Sequence, residues 1–91
     1  MRVYVIHSGD DIYRYVGVCK QAPNLNKSNK RFMQWLAEQK IVVVEFIEEG
    51  KTAGQASDSE KTWIKVLSKE GHPLLNEQGL RRTYVPYRGK D

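Results

Sequence analysis

Ninety-one residues, 40% of them hydrophobic, make a single domain with a modest core, and this proportion excludes a disordered chain. No apolar run approaches the roughly 20 residues that a membrane-spanning helix needs, and no charged-then-apolar leader pattern is read at the N-terminus. Cys19 is the only cysteine, so an internal disulfide is excluded; it reads as a small apolar side chain, and a reducing, cytoplasmic setting is expected. Net charge is +4 with a pI near 9.3. The basic residues are clustered. Lys20, Lys27, Lys30 and Arg31 form one acid-free stretch, and Arg81, Arg82, Arg88 and Lys90 form another, interleaved with Tyr84 and Tyr87. Two basic stretches with aromatics between them suit a phosphate backbone. A charge run is equally what an ordinary solvated face looks like.

In chain order, Arg2 to His7 and Ile12 to Val18 read as strands, being rich in Val, Ile and Tyr. Gly9-Asp10 between them predicts a two-residue type II′ hairpin. In that register Tyr4 lies opposite Tyr15, and Gly17 lies opposite Arg2 and leaves the face bare. A loop follows over "QAPNLNKSN", and then a helix over Ser28 to Gln39 with Ser28 as N-cap. There Phe32 and Leu36 share a face, and Arg31 is spaced to lie along the indole of Trp35. The apolar run "IVVVEFIEE" predicts an interior strand covered on both faces. A second helix carries "EKTWIKVLSK", with Trp63, Ile64 and Leu67 on one stripe and Lys61, Lys65 and Lys69 on another. "HPLLNEQGL" predicts a turn at Pro73 and a short helix stopped by Gly79. The order is ββαβαα: an α+β domain with a small antiparallel sheet, made of an N-terminal hairpin and a third strand, flanked by two to three helices.

Glu60 is the residue at odds with its surroundings. It precedes Trp63, Ile64 and Leu67 by three, four and seven positions, so a helix places its carboxylate on the apolar stripe. A carboxylate facing the sheet costs desolvation unless a cation or an arginine pairs with it. Two capping boxes compete to explain it. "SDSE" starts the helix at Ser57 and makes Glu60 a capping residue; "TAGQ" starts it at Thr52 and leaves Glu60 mid-helix. The spacing leaves both open.

These residues, in this order, resemble the GIY-YIG nuclease domain. Arg2-Val3-Tyr4 stands for its first motif, with the leading glycine replaced, and Tyr15-Val16-Gly17 for its second; the two tyrosines are 15 − 4 = 11 apart. Arg31, followed by Phe32, matches the helical arginine of the family. Glu60 in "EKTWIKVL" matches its helical glutamate, and Asn76 in "PLLNEQG" its late asparagine. The loop from Val18 to Lys30 is longer than in many members, and Trp35 stands where a histidine or tyrosine is frequent. The likeness covers residues 2 to about 80, which gives a nuclease-like domain over 1–80 and a basic aromatic tail over 81–91.

The resemblance implies a divalent-metal-dependent endonuclease acting on DNA, with RNA left open as a substrate and no membrane partner. It implies that Glu60 holds one Mg2+ or Mn2+ ion and that Arg31 binds the non-bridging phosphate oxygens. One of Tyr4 and Tyr15 polarises the attacking water and the other orients it, while Asn76 steadies the site. Gly17, Lys20, Lys27, Lys30, Arg81, Arg82, Tyr84 and Arg88 are the expected nucleic-acid contacts. The alternative on the same fold is a non-catalytic module that binds nucleic acid or protein, such as a small phage-type inhibitor.

Overall fold

A computed structural model describes residues 1–25 and 28–76 of the chain. The elements are β1 (Arg2–His7), β2 (Tyr15–Cys19), α1 (Lys30–Ala37), β3 (Val43–Glu48) and α2 (Ala53–Lys69). The three strands form one antiparallel sheet in the order β2-β1-β3. This is the small α+β architecture expected. The short helix before Gly79 falls largely outside the described residues; residues 72–76 carry no helix.

The interior strand is β1, not the stretch over 41–49. Two runs were apolar enough to be central, and the first, "VYVI", took the place. Its side chains alternate between two cores. Val3 and Val5 join Val16, Ala56, Leu67 and Leu74 on the face covered by α2, with Trp63 and Ile64 packed against them. Tyr4 and Ile6 join Cys19 and Phe32 on the face covered by α1, with Trp35 and Leu36 alongside. β3 is an edge strand, half-buried along its length, with Glu45 exposed. A one-residue irregularity between Val3 and Tyr4 interrupts its pairing with β1.

The β1–β2 connection departs from the two-residue turn. Tyr4 pairs with Gly17 and Ile6 with Tyr15, a shift of two positions from the register expected. The loop over residues 8–14 is wide because local side chains take its backbone donors. His7 Nδ1 accepts the Gly9 N–H, and the Asp10 carboxylate accepts the Ile12 N–H, which holds the Asp10 carboxyl below its ordinary range. Asp11 adopts a left-handed backbone at φ 58°, which aspartate tolerates better than most residues. Because the slip is two residues and not one, every side chain keeps its face. Tyr4 and Tyr15 share a surface, diagonally rather than directly opposed.

The helix starts also resolve. α1 is capped by Asn29, whose Oδ1 accepts the Phe32 N–H, not by Ser28. α2 begins at Ala53 behind Thr52, with both hydrogen bonds of the Thr52–Gln55 capping box formed. Glu60 therefore lies mid-helix and has no capping function.

Candidate functional site

One cleft, of about 610 Å3, brings together residues that are distant in sequence. Tyr4 comes from β1, Tyr15 and Gly17 from β2, and Glu60 from α2. The opposite wall is the β2–α1 connection, with Lys20, Asn24 and Ser28; Val18, Cys19 and Ala22 complete the lining. One helix, two strands and a loop are thus needed to assemble the group.

Gly17 is required by its neighbour. A β-carbon built there would sit 2.4 Å from both Cζ and Oη of Tyr4, so the Tyr4 ring lies directly over the glycine backbone. The surface left bare at Gly17 is therefore occupied by a tyrosine. On its other side Tyr4 meets Phe46 edge-to-face at 6.4 Å between centroids. Tyr15 packs on Phe32 at 4.4 Å, and Phe32 in turn on Trp35 at 5.7 Å.

The electrostatics keep both phenols protonated. Burial, foremost, raises the Tyr4 hydroxyl well above its ordinary pKa, and Tyr15, Cys19 and Glu60 push the same way. Burial also raises Tyr15, with Glu60 adding to it, while a hydrogen bond from Ser28 acts in the opposite sense. Glu60 is therefore close enough to both hydroxyls for its charge to oppose a phenolate. Neither tyrosine is a ready-made base at neutral pH; each presents an O–H to whatever enters the cleft.

Asn76 lies one layer behind. It is buried, its Oδ1 accepts the Val16 N–H at 2.9 Å, and its Nδ2 donates to the Val16 carbonyl at 2.7 Å. The Leu75 N–H donates to the Arg14 carbonyl at 2.7 Å, and the Tyr13 N–H donates to His72 Nδ1. Residues 72–76 thus strap residues 13–16 and fix Tyr15 between two clamped neighbours.

Arg31 is exposed on the first turn of α1 and is not part of the cleft lining; the same holds for Lys30. The cation over Trp35 is Arg14, at 5.5 Å, in place of the i, i+4 stacking of Arg31. Lys20 is the basic residue of the cleft wall. Lys27, Arg81, Arg82, Tyr84 and Arg88 lie outside the described residues. Sequence reasoning missed Asn24 as a lining residue, and no local pattern marks it. It took Ser28 for a cap; the signal available was the adjacent Asn29, an equally good cap residue placed three positions before Phe32.

Among the described residues no group of three or more His, Cys, Asp or Glu side chains could hold a metal ion. An all-protein cage is therefore not built there. A single carboxylate is nonetheless an anchor of the kind Mg2+ uses when water and substrate phosphate complete its shell, and the two neutral phenols beside it offer O–H donors to those oxygens. Glu60 is the residue that would hold such an ion. No helix among the described residues is long and apolar enough to cross a membrane.

The chain matches no protein-family model, no curated protein and no solved structure.

Proposed function

We propose that the protein is a divalent-metal-dependent endonuclease that hydrolyses phosphodiester bonds in DNA by a GIY-YIG-type mechanism. The observation that carries this reading is the convergence of Tyr4, Tyr15, Gly17 and Glu60, from three separate elements, on one cleft with a lysine at its wall. Hydrolysis of a phosphodiester needs a group that neutralises developing charge, donors to the phosphate and a means of orienting water. Glu60 would hold the cation, which supplies the charge stabilisation when bound. The Tyr4 and Tyr15 hydroxyls hydrogen-bond to water and phosphate oxygen, and Lys20 contributes a fixed positive charge. Asn76 acts through the β2 backbone. Arg31, standing off the cleft lining, meets the phosphate backbone beside the scissile position.

A second reading, a non-catalytic module that binds nucleic acid or protein, is favoured by one observation: the forked donor expected at the centre of the site is outside the cleft lining. Plasmid nicking decides between them. Supercoiled DNA incubated with the protein and Mg2+ or Mn2+ is converted to the nicked form, and chelator stops the conversion. Binding of DNA without cleavage under both metals rejects the nuclease reading.

A further inference from the structure

The Tyr15 side chain and the Tyr15 backbone are held by two segments that meet each other. The backbone is held by the strap: Leu75 N–H to the Arg14 carbonyl at 2.7 Å, and Asn76 to both polar groups of Val16. Ser28 lines the cleft together with Tyr15, and its hydroxyl favours the Tyr15 oxygen electrostatically. Asn29 joins the two. Its Nδ2 donates to the Leu75 carbonyl at 2.8 Å, while its Oδ1 accepts the Phe32 N–H at 2.8 Å. Phe32 is also the ring on which Tyr15 packs. Starting at Tyr15, the contacts run through Arg14 and Val16 to Leu75 and Asn76, then to Asn29, and return through Phe32 to the Tyr15 side chain.

We propose that Ser28 and Asn29 are positioning residues for Tyr15: Asn29 closes a ring of contacts that fixes its main chain and its side chain, and Ser28 steadies its hydroxyl toward the cleft. The proposal rests on the nuclease reading for its consequence in turnover, but the ring itself does not. A tyrosine held at one end only samples several positions of its hydroxyl, and a misplacement of about 1 Å in a reacting group costs on the order of a hundredfold in rate. Asn29 is unusual in having two separable functions. Its oxygen is a helix cap that serine can replace, while its amide donor to Leu75 is one that serine lacks.

The test uses Ser28→Ala, Ser28→Thr and Asn29→Ser in the full chain. Three quantities are measured: melting temperature, nicking kinetics with Mg2+ or Mn2+, and the Cζ resonance of Tyr15 in protein carrying 13C-labelled tyrosine, assigned with Tyr15→Phe. In Ser28→Ala and Asn29→Ser, kcat falls about tenfold with KM unchanged, and the Tyr15 resonance moves. Ser28→Thr, which keeps the hydroxyl, restores both. Asn29→Ser retains its cap and melts close to the wild type. A Tyr15 resonance that is unmoved in Asn29→Ser overturns the ring, as does a fall in kcat that Ser28→Thr fails to restore. If the wild type does not nick DNA, the nuclease reading fails and the resonance alone decides the positioning of Tyr15.

Discussion

Asn76 satisfies both backbone groups of one residue, Val16, from 60 positions further along the chain. Val16 is fully buried on β2, next to Tyr15, so these groups have no water to turn to. Asn76→Ala leaves a buried N–H and a buried carbonyl unpaired, at about 1–3 kcal/mol each. We expect a loss of about 2–4 kcal/mol, visible as a fall in melting temperature of more than about 10 °C for a domain of this size. A variant that melts within two or three degrees of the wild type means that the strap is dispensable.

Gly17 carries a second structural demand. The Tyr4 ring lies where a β-carbon would be. Gly17→Ala forces the ring to move, and Phe46 stands on its far side. Overpacking of this kind costs about 1–3 kcal/mol. We expect nicking to fall further than the loss of folded protein explains, because the displaced hydroxyl belongs to the cleft. The check is activity measured at a temperature where circular dichroism shows the variant fully folded. Wild-type turnover there would show that the position of the Tyr4 ring is unimportant.

Glu60→Gln separates charge from shape. The amide keeps the side chain's size in the cleft but no longer attracts a divalent cation. Cleavage is lost, the fold persists, and DNA binding is retained or strengthened as repulsion between carboxylate and phosphate disappears. Electrophoretic mobility shift and nicking on the same preparation read both arms. Cleavage at the wild-type rate would remove Glu60 from the site.

The two tyrosines differ from packing residues only through their hydroxyls. Tyr4→Phe and Tyr15→Phe should each leave stability at neutral pH nearly unchanged and lower turnover by about 10²-fold or more. At high pH the signs follow from their raised pKa values. Both phenols ionise less readily in the fold than in the unfolded chain. The stabilisation this represents is complete below the unfolded value near pH 10 and is lost as pH rises through the folded value. Urea midpoints measured between pH 9 and 11 should fall steeply for the wild type and less steeply for Tyr4→Phe. Parallel curves would mean that Tyr4 is not protected from ionisation.

Lys20 and Arg31 occupy different places and should report differently. Lys20 lines the cleft; Arg31 is exposed on α1. Removing one phosphate contact lowers the slope of log K against log salt by about 0.9 on duplex DNA. We expect Lys20→Ala to show that change. Arg31→Ala, standing off the lining, should raise KM more than it lowers kcat. A collapse of kcat at saturating DNA in Arg31→Ala would bring the guanidinium into the reacting site in the bound state.

Period-two and period-3.6 patterning was enough to establish the antiparallel hairpin, the common face of Tyr4 and Tyr15, and the apolar stripe on which Glu60 stands. These survive because the side-chain period of a strand is two and the observed register differs from the expected one by two. A slip of one would have sent Tyr15 to the opposite core. What local sequence left open was decided by contacts between distant segments. The capping choice between Thr52 and Ser57 needed the position of α2 against the sheet. The central place of β1 over the equally apolar 41–49 run needed both helices, because a strand becomes interior only when two faces and two edges are covered. The width of the loop over 8–14 is the local exception, set by His7 and Asp10 taking backbone donors two residues away. The holding of Tyr15 at the cleft depended on the strap: Asn76 is marked in the sequence only by the family resemblance and Leu75 not at all, and the fold lays them across Arg14 and Val16, whose backbone groups they satisfy.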